Sequence, residues 1–124
     1  MNGSLAPFVE FDLTALDQSI GERVEEQARL RGDTLALTDG DTTYTYAQLN
    51  AAANAVAHAL HTRQPQVEEV VAVLVPDGAA MIIALLGVWK ASKIAIPIDP
   101  ALPSVRPVEY GVLFRNHLRV RPYL

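Results

Sequence analysis

Residues 70–100 constrain the fold of this chain more than any other part of its sequence. They begin with six apolar and mostly β-branched residues, 70–75, a run that is too short for a helix and is typical of a strand buried on both faces. Pro76 and Gly78 break this strand, and Asp77 between them is a candidate N-cap for the helix that follows. The sequence therefore predicts a buried strand that turns directly into a helix.

The predicted helix, residues 79–91, is apolar at nearly every position, so we expect it to be buried with no face left to solvent. It is too short to cross a bilayer, which needs about 20 apolar residues, and Lys90 and Lys93 end the apolar run. A second strand, residues 94–98, follows directly. A strand, a helix and a strand with short joints predict a βαβ unit with parallel strands and a right-handed crossover.

Composition limits what else the chain can be. Its 124 residues predict one domain at most, and half of them are hydrophobic, with a mean hydropathy of +0.16. This excess predicts an uncovered apolar surface, through which the isolated chain self-associates or binds chain that is not present here. There is no cysteine, which excludes a disulfide framework and a thiolate metal site.

Charge is distributed unevenly along the chain. Residues 1–105 carry six Lys and Arg against thirteen Asp and Glu, whereas residues 106–124 carry four arginines against Glu109 alone. The acidic body argues against nucleic acid as a partner. Residues 1–18 lack the basic region and apolar segment of a signal peptide, so we expect an extended lead-in and a cytoplasmic protein.

Two capping boxes mark helix starts in the first half of the chain. Ser19 with Glu22, and Thr45 with Gln48, have the spacing at which each side chain accepts a hydrogen bond from the other residue's backbone N–H. Gly40, followed by an aspartate between two short strand-like runs, predicts a hairpin that leads into the second helix.

The full prediction is the beginning of an α/β domain. Its helices are residues 20–31, 47–61 and 79–91, and its strands are residues 35–38, 42–45, 70–75 and 94–98. The buried stripe of the second helix consists of Leu49, Ala53, Val56 and Leu60, which recur at helical spacing. Two or three parallel strands with a buried helix need more sheet and more helices to cover their second faces.

Two segments resemble the core motifs of the adenylate-forming enzymes. Residues 44–50, YTYAQLN, with Ala53, Asn54 and Ala57 after them, resemble the first motif, (L/T)-(T/S)-Y-x-E-L-N with a downstream A-N. Residues 89–100, WKASKIAIPIDP, resemble the second motif, L-K-A-G-x-A-Y-x-P-(L/I)-D-P. Residues 103–106, PSVR, fit the P-x-x-R that follows it in members that activate amino acids. The chain is therefore more similar to the adenylation domain of a nonribosomal peptide synthetase than to an acyl-CoA or luciferase-type ligase.

The chain departs from these motifs at several positions and in its tail. Gln48 replaces Glu but still serves a capping box, whereas Ser92, Lys93 and Ala95 replace a glycine, a small residue and an aromatic. Residues 107–124 show neither the helix pattern nor the Ser/Thr/Gly-rich phosphate loop with which the family continues. We therefore expect a lead-in (1–18), a partial N-terminal subdomain (19–106) and a divergent, poorly packed tail (107–124) from a frameshift or a truncated gene.

The resemblance implies the activity of a complete parent enzyme. Such an enzyme uses ATP and Mg²⁺ to activate a carboxylic acid, here an amino acid, as an acyl-adenylate. It then passes the acyl group to a thiol, often the phosphopantetheine of a carrier protein. The family's phosphate loop, nucleotide-binding residues and catalytic lysine lie beyond the matched part. We therefore assign no catalytic, cofactor-binding or metal-binding residue to this chain.

Some side chains permit a second, functional interpretation beside the structural one. His58 and His61, three residues apart on a predicted helix, have the spacing of metal ligands, but an exposed helix face is the simpler explanation. Lys90 is a candidate catalytic lysine, although at a helix end it also interacts favourably with the dipole and extends outward to solvent.

Further polar residues are also ambiguous. Asp99 follows a strand's carboxyl end, where α/β ligands often bind, but it lies between prolines and suits a turn. Asn50 and Asn54 fit buried hydrogen-bonding groups better than substrate contacts. The arginines of the tail, which suit phosphate or a solvated segment, are Arg106, Arg115, Arg119 and Arg121.

Two functions remain open from the sequence. The first is a fragment of an adenylation domain that is inactive by itself. The second is a non-catalytic α/β interaction module that docks on a complete synthetase.

Overall fold

The structure, a computed structural model, describes residues 10–63, 69–98, 112–115 and 120–122. The helices are α1 (Ile20–Arg31), α2 (Tyr46–Arg63) and α3 (Ala79–Lys90), and a short 3-10 turn (Leu13–Asp17) precedes α1. The strands are β1 (Leu35–Asp39), β2 (Thr42–Thr45), β3 (Val70–Leu74), β4 (Ile94–Pro97), β5 (Val112–Arg115) and β6 (Val120–Pro122). The predicted helices and strands all form, with ends displaced by two residues at most.

The strands form two sheets. The hairpin β1–β2 is antiparallel and turns at Gly40, whose φ of 58° lies in the left-handed region. The second sheet has the order β4-β3-β5-β6, in which β3 pairs in parallel with both β4 and β5, and β6 runs antiparallel to β5. Val71 lies opposite Ala95 on one side and Val112 on the other. The predicted parallel and adjacent pairing of the two central strands is confirmed.

The core lies between β3 and the two helices α2 and α3. The predicted stripe of α2 is buried throughout, and Val71, Val73 and Val75 of the β3 segment are fully buried beneath it. Gly87 brings α3 against α2, because a Cβ at this position would overlap the side chain of Val56.

Helix α3 ends in a Schellman motif. The N–H of Lys93 donates to the carbonyl of Val88 at 3.1 Å, and the N–H of Ser92 donates to that of Trp89 at 3.0 Å. This arrangement places Ser92 at a φ of 58°, where the family motif has glycine. Serine therefore occupies a backbone conformation that disfavours any side chain.

One sequence prediction about this part of the fold is wrong. Helix α3 is not buried on all sides, since Ile82 is 40% exposed and Trp89 38% exposed. The tail contains two short strands: β5 pairs with β3, and β6 pairs with β5. The sequence pattern did not reveal them, because a four-residue strand has too few residues to show a period. That the tail packs poorly stays a prediction. Within the described ranges, no helix has the length and apolarity needed to cross a bilayer.

Candidate functional site

The carboxyl ends of the parallel strands form the candidate site. Strands β3, β4 and β5 run in the same direction, so all three end at one edge of the sheet. Open α/β sheets bind ligands at this edge, next to the strand where the connections diverge. Here that strand is β3, which has β4 on one side and β5 on the other.

The joint between β3 and α3 is fixed by a residue from the hairpin. The Asp39 carboxylate, through Oδ2, accepts a hydrogen bond of 3.0 Å from the backbone N–H of Ala79. Gly78 makes this contact possible, because a Cβ there would lie 2.7 Å from the same Oδ2 and the φ of 132° suits glycine alone. The predicted cap, Asp77, is wrong: Gly78 is the N-cap residue, with no side-chain cap of its own.

Sequence reasoning missed Asp39 for a physical reason. Asp39 and Ala79 are 40 residues apart, and the contact exists only because the hairpin docks beside the start of α3. The local pattern around Asp77 fits an N-cap, but no local pattern shows that a distant carboxylate already satisfies the first N–H. The two capping boxes, which are local, are both present as predicted.

Lys90 forms an intramolecular ion pair with Glu25 of α1. Its Nζ lies 2.7 Å from Oε1 of Glu25, and its side chain is only 5% exposed. The buried Gly21 of α1 leaves room for the stem, since a Cβ there would lie 2.9 Å from Cγ of Lys90. The expectation that Lys90 extends outward is wrong, because α1 covers the end of α3 and supplies the carboxylate.

Lys93 is also buried. It lies at the amino-terminal ends of the strands, the edge of the sheet opposite to the candidate site. Its Nζ lies 3.5 Å from Oε2 of Glu69, immediately before β3, while the backbone N–H of Ile94 donates to the carbonyl of Glu69 at 3.0 Å. A buried charge of this kind requires a partner. Glu69 thus supplies the carboxylate that the buried charge of Lys93 requires.

The remaining candidate residues do not come together in one site. His58 and His61 are both exposed on α2, and no group of three potential metal-ligating side chains occurs in the described part of the chain. Asn54 is exposed, contrary to expectation, whereas Oδ1 of Asn50 is buried and has no hydrogen-bond partner among the described residues. Asp99, Arg106 and Arg119 lie outside the described residues, and Arg115 and Arg121 are described through their strands only.

A separate apolar groove lies between the 3-10 turn and α1. It has a volume of about 350 Å³ and is lined mainly by apolar side chains, while the Arg23 guanidinium lies 5.6 Å from the centroid of the Phe11 ring at one wall. Asp12 begins the turn, and hydrogen bonds from the backbone N–H and the hydroxyl of Thr14 lower the pKa of its carboxyl group. The groove carries no catalytic group.

Comparison with known proteins agrees with this geometry. Residues 24–108 match the AMP-binding enzyme family. A protein of Salinispora arenicola described as a probable nonribosomal peptide synthetase, CymA, is 42% identical over 92 residues, which are 74% of this chain and 1% of that protein. A plipastatin synthase of Bacillus subtilis is 36% identical over 99 residues, 80% of this chain and 4% of that protein.

A solved structure reproduces the fold. The AMPPNP-bound form of the nonribosomal peptide synthetase FmoA3 superposes with a TM-score of 0.73 and 26% identity, over 82% of this chain and 12% of that one. The chain thus spans a small fraction of the length of the proteins that it matches. The order of its motifs, its parallel sheet and the family match over most of its length lead to one conclusion: the chain belongs to the AMP-binding family of adenylate-forming enzymes.

Proposed function

We propose that this chain is the N-terminal part of an adenylation domain of nonribosomal peptide synthetase type. In the complete parent, ATP and Mg²⁺ would support activation of a carboxylic acid, specifically an amino acid, as its adenylate for transfer to a phosphopantetheinyl carrier protein. The observation that carries this proposal is the hairpin, α2 and β3–α3–β4 unit. It presents the two motifs in family order on the family fold. The divisions at residues 18 and 106 and a cytoplasmic location belong to the same proposal.

We propose further that the chain is catalytically silent by itself. Attack of a carboxylate on the α-phosphate requires cations and backbone donors arranged around the developing charge. The chain has two lysines, Lys90 and Lys93, and both are buried in ion pairs with Glu25 and Glu69. Neither lysine is therefore available to the phosphates of ATP, and the described residues serve as a scaffold.

The test is the acid-dependent exchange of pyrophosphate into ATP. The full chain is assayed with ATP, Mg²⁺ and a panel of amino and aryl acids, beside the intact AMP-binding region of the Salinispora arenicola relative as a positive control. We expect exchange at the level of a heat-treated sample. Exchange above that level, from protein free of host synthetases, would contradict catalytic silence.

An interaction module is the second candidate function. The exposed apolar residues of α3, Ile82 and Trp89, favour it, since exposed apolar surface marks a binding face. The nucleotide sequence after codon 106 discriminates between the two functions. A phosphate loop encoded in another reading frame supports the fragment, whereas unrelated sequence in every frame supports the module.

A further inference from the structure

Exposed apolar residues are concentrated in the first elements of the described chain. Nine large apolar side chains are exposed among the described residues, and four of them lie within residues 11–20: Phe11, Leu13, Leu16 and Ile20. Single exposed apolar residues are normal on a protein surface, whereas a contiguous patch marks a binding face. All of the four except Leu13 line the groove between the 3-10 turn and α1. The patch is therefore concave, as binding sites are.

The groove has the length of a short helical segment. Its α1 side includes Ile20, Val24 and Gln27, whose spacings of four and three residues place them along one side of α1 for about 10 Å. Phe11 and Leu16, which lie before and within the 3-10 turn, supply the other side. An amphipathic helix presents its apolar side chains over the same length, at positions i, i+3 or i+4, and i+7.

The residues around the groove are strongly acidic. Residues 10–27 contain one basic residue, Arg23, and six acidic ones: Glu10, Asp12, Asp17, Glu22, Glu25 and Glu26. Arg23 is already bound, because its guanidinium pairs with Glu26 at 3.3 Å and lies over the Phe11 ring. Apart from Glu26 and Glu25, the latter paired with Lys90, these carboxylates have no lysine or arginine partner among the described residues. The complementary partner is therefore apolar along one side and positively charged beside it.

This charge argues against the other common occupants of an apolar groove. Nucleic acid and anionic lipid surfaces are negatively charged and would be repelled. In a symmetric dimer the same patch faces its own copy, so carboxylates would lie against carboxylates. A helix that carries lysine or arginine beside an apolar stripe fits both the groove and its rim.

We propose that the groove between the 3-10 turn and α1 is the docking surface for a basic amphipathic helix of a partner protein. Apolar side chains of the partner fill the space between Leu16 and Ile20, and its cations face the carboxylates of Asp17 and Glu22. This inference goes beyond the proposed function, since it concerns neither the acid that the parent activates nor the rest of the parent's adenylation domain.

The probe is a synthetic helical peptide of leucine and lysine, in which the leucines recur at spacings of three and four residues. A matched peptide with glutamate at every lysine position keeps the apolar stripe and reverses the charge. Each peptide is titrated into the full chain, and calorimetry gives Kd. We expect the lysine peptide to bind at least about tenfold more tightly than the glutamate peptide. Its affinity should fall as NaCl is added, because salt screens the charges of the rim.

Two leucines of the 3-10 turn form a matched pair of variants. Leu16 lines the groove and is 70% exposed, whereas Leu13 is 76% exposed and does not line it. Leu16→Gln should weaken binding of the lysine peptide at least about fivefold, because it removes apolar surface that the partner buries. Leu13→Gln should change Kd by about twofold at most. Both side chains are mostly exposed, so both variants should remain folded, which circular dichroism checks.

A second pair of variants tests the charge of the rim. Asp17→Asn removes a carboxylate beside the groove and should weaken binding of the lysine peptide by about twofold to threefold. Asp41→Asn removes an exposed carboxylate at the turn of the hairpin and should leave Kd unchanged. Equal effects of the two substitutions would show that the peptide responds to net charge alone, which contradicts docking in the groove.

The remaining outcomes also decide the proposal. Equal binding of the two peptides, or an equal Kd for the Leu16→Gln and Leu13→Gln variants, would overturn it. Trp89, the one tryptophan of the chain, lies on α3 and is 38% exposed, so a change in its emission on binding would place the peptide on α3 instead. Dimers of this chain that Leu16→Gln dissociates would assign the groove to a second copy and equally contradict the proposal. None of these measurements depends on the exchange of pyrophosphate into ATP.

Discussion

At the scale of single residues, Ser92 adopts a left-handed backbone conformation that favours glycine. Its φ of 58° is imposed by the two hydrogen bonds that close α3, so the side chain must tolerate the left-handed region. We expect Ser92→Gly to stabilise the protein by about 1 kcal/mol and to raise Tm by about 5 °C. Thermal unfolding followed by circular dichroism measures this change.

Gly40 is the matched control for Ser92. It has the same φ of 58°, and a Cβ there would have no atom within 4 Å, so only the backbone conformation is tested. Gly40→Ser should lower stability by about 1 kcal/mol, the reverse of the change at Ser92. If Ser92→Gly left Tm unchanged while Gly40→Ser lowered it, the strain assigned to Ser92 would be absent.

A second prediction at the scale of single residues concerns Gly87. In an exposed helix interior, Gly→Ala stabilises by about 0.5–1 kcal/mol, but here the new methyl group would overlap Val56 and lie 3.1 Å from the carbonyl oxygen of Ala53. Overpacking should prevail, so we expect Gly87→Ala to destabilise by about 2 kcal/mol in urea unfolding. In the Val56→Gly background, which removes both side-chain carbons that the new methyl group would overlap, the same change should cost less. Equal costs in both backgrounds would rule out the steric explanation.

At the scale of elements, the hairpin and α3 are joined through Asp39. Asp39→Ala should lower the free energy of unfolding by about 1 kcal/mol, as the loss of other N-cap acceptors does. Asp39→Asn keeps an oxygen acceptor and should lower it less. Asp77→Ala is the control, because Asp77 lies next to the same helix start and caps nothing. Chemical denaturation of the three variants is the measurement. A larger loss at Asp77 than at Asp39 would be incompatible with the hydrogen bond to Ala79.

The same elements show what a sequence can predict. The capping boxes at Ser19 and Thr45 and the buried stripe of α2 depend on residues within one or two turns, and all were correct. The cap from Asp39 and the Lys90–Glu25 pair join residues 40 and 65 positions apart, and no local pattern contains them. At the candidate site, the apolar run followed by Pro76 and Gly78 predicted the β3–α3 joint, but not the carboxylate that holds it.

At the scale of the whole molecule, the tail contributes to the sheet. Strand β5 covers one edge of β3, which is why Val71, Ala72 and Val73 are fully buried between two parallel neighbours. We expect removal of residues 107–124 to abolish cooperative unfolding, because it removes β5 from the edge of β3. Leu113→Pro should have a similar effect without shortening the chain, because β5 pairs on both sides. An unchanged urea midpoint in either variant would show that β5 adds nothing to stability.

The contact between Asp39 and Ala79 also has a consequence for synthesis on the ribosome. Translation proceeds at about 5–20 residues per second, so Asp39 is made several seconds before the N–H that it binds. A hairpin forms in about 1–10 μs, which is far shorter than this interval. The acceptor can therefore already be in place when the apolar helix α3 emerges. The hairpin then acts as a template for that helix, and the direction of synthesis favours folding of the hairpin before α3 can associate elsewhere.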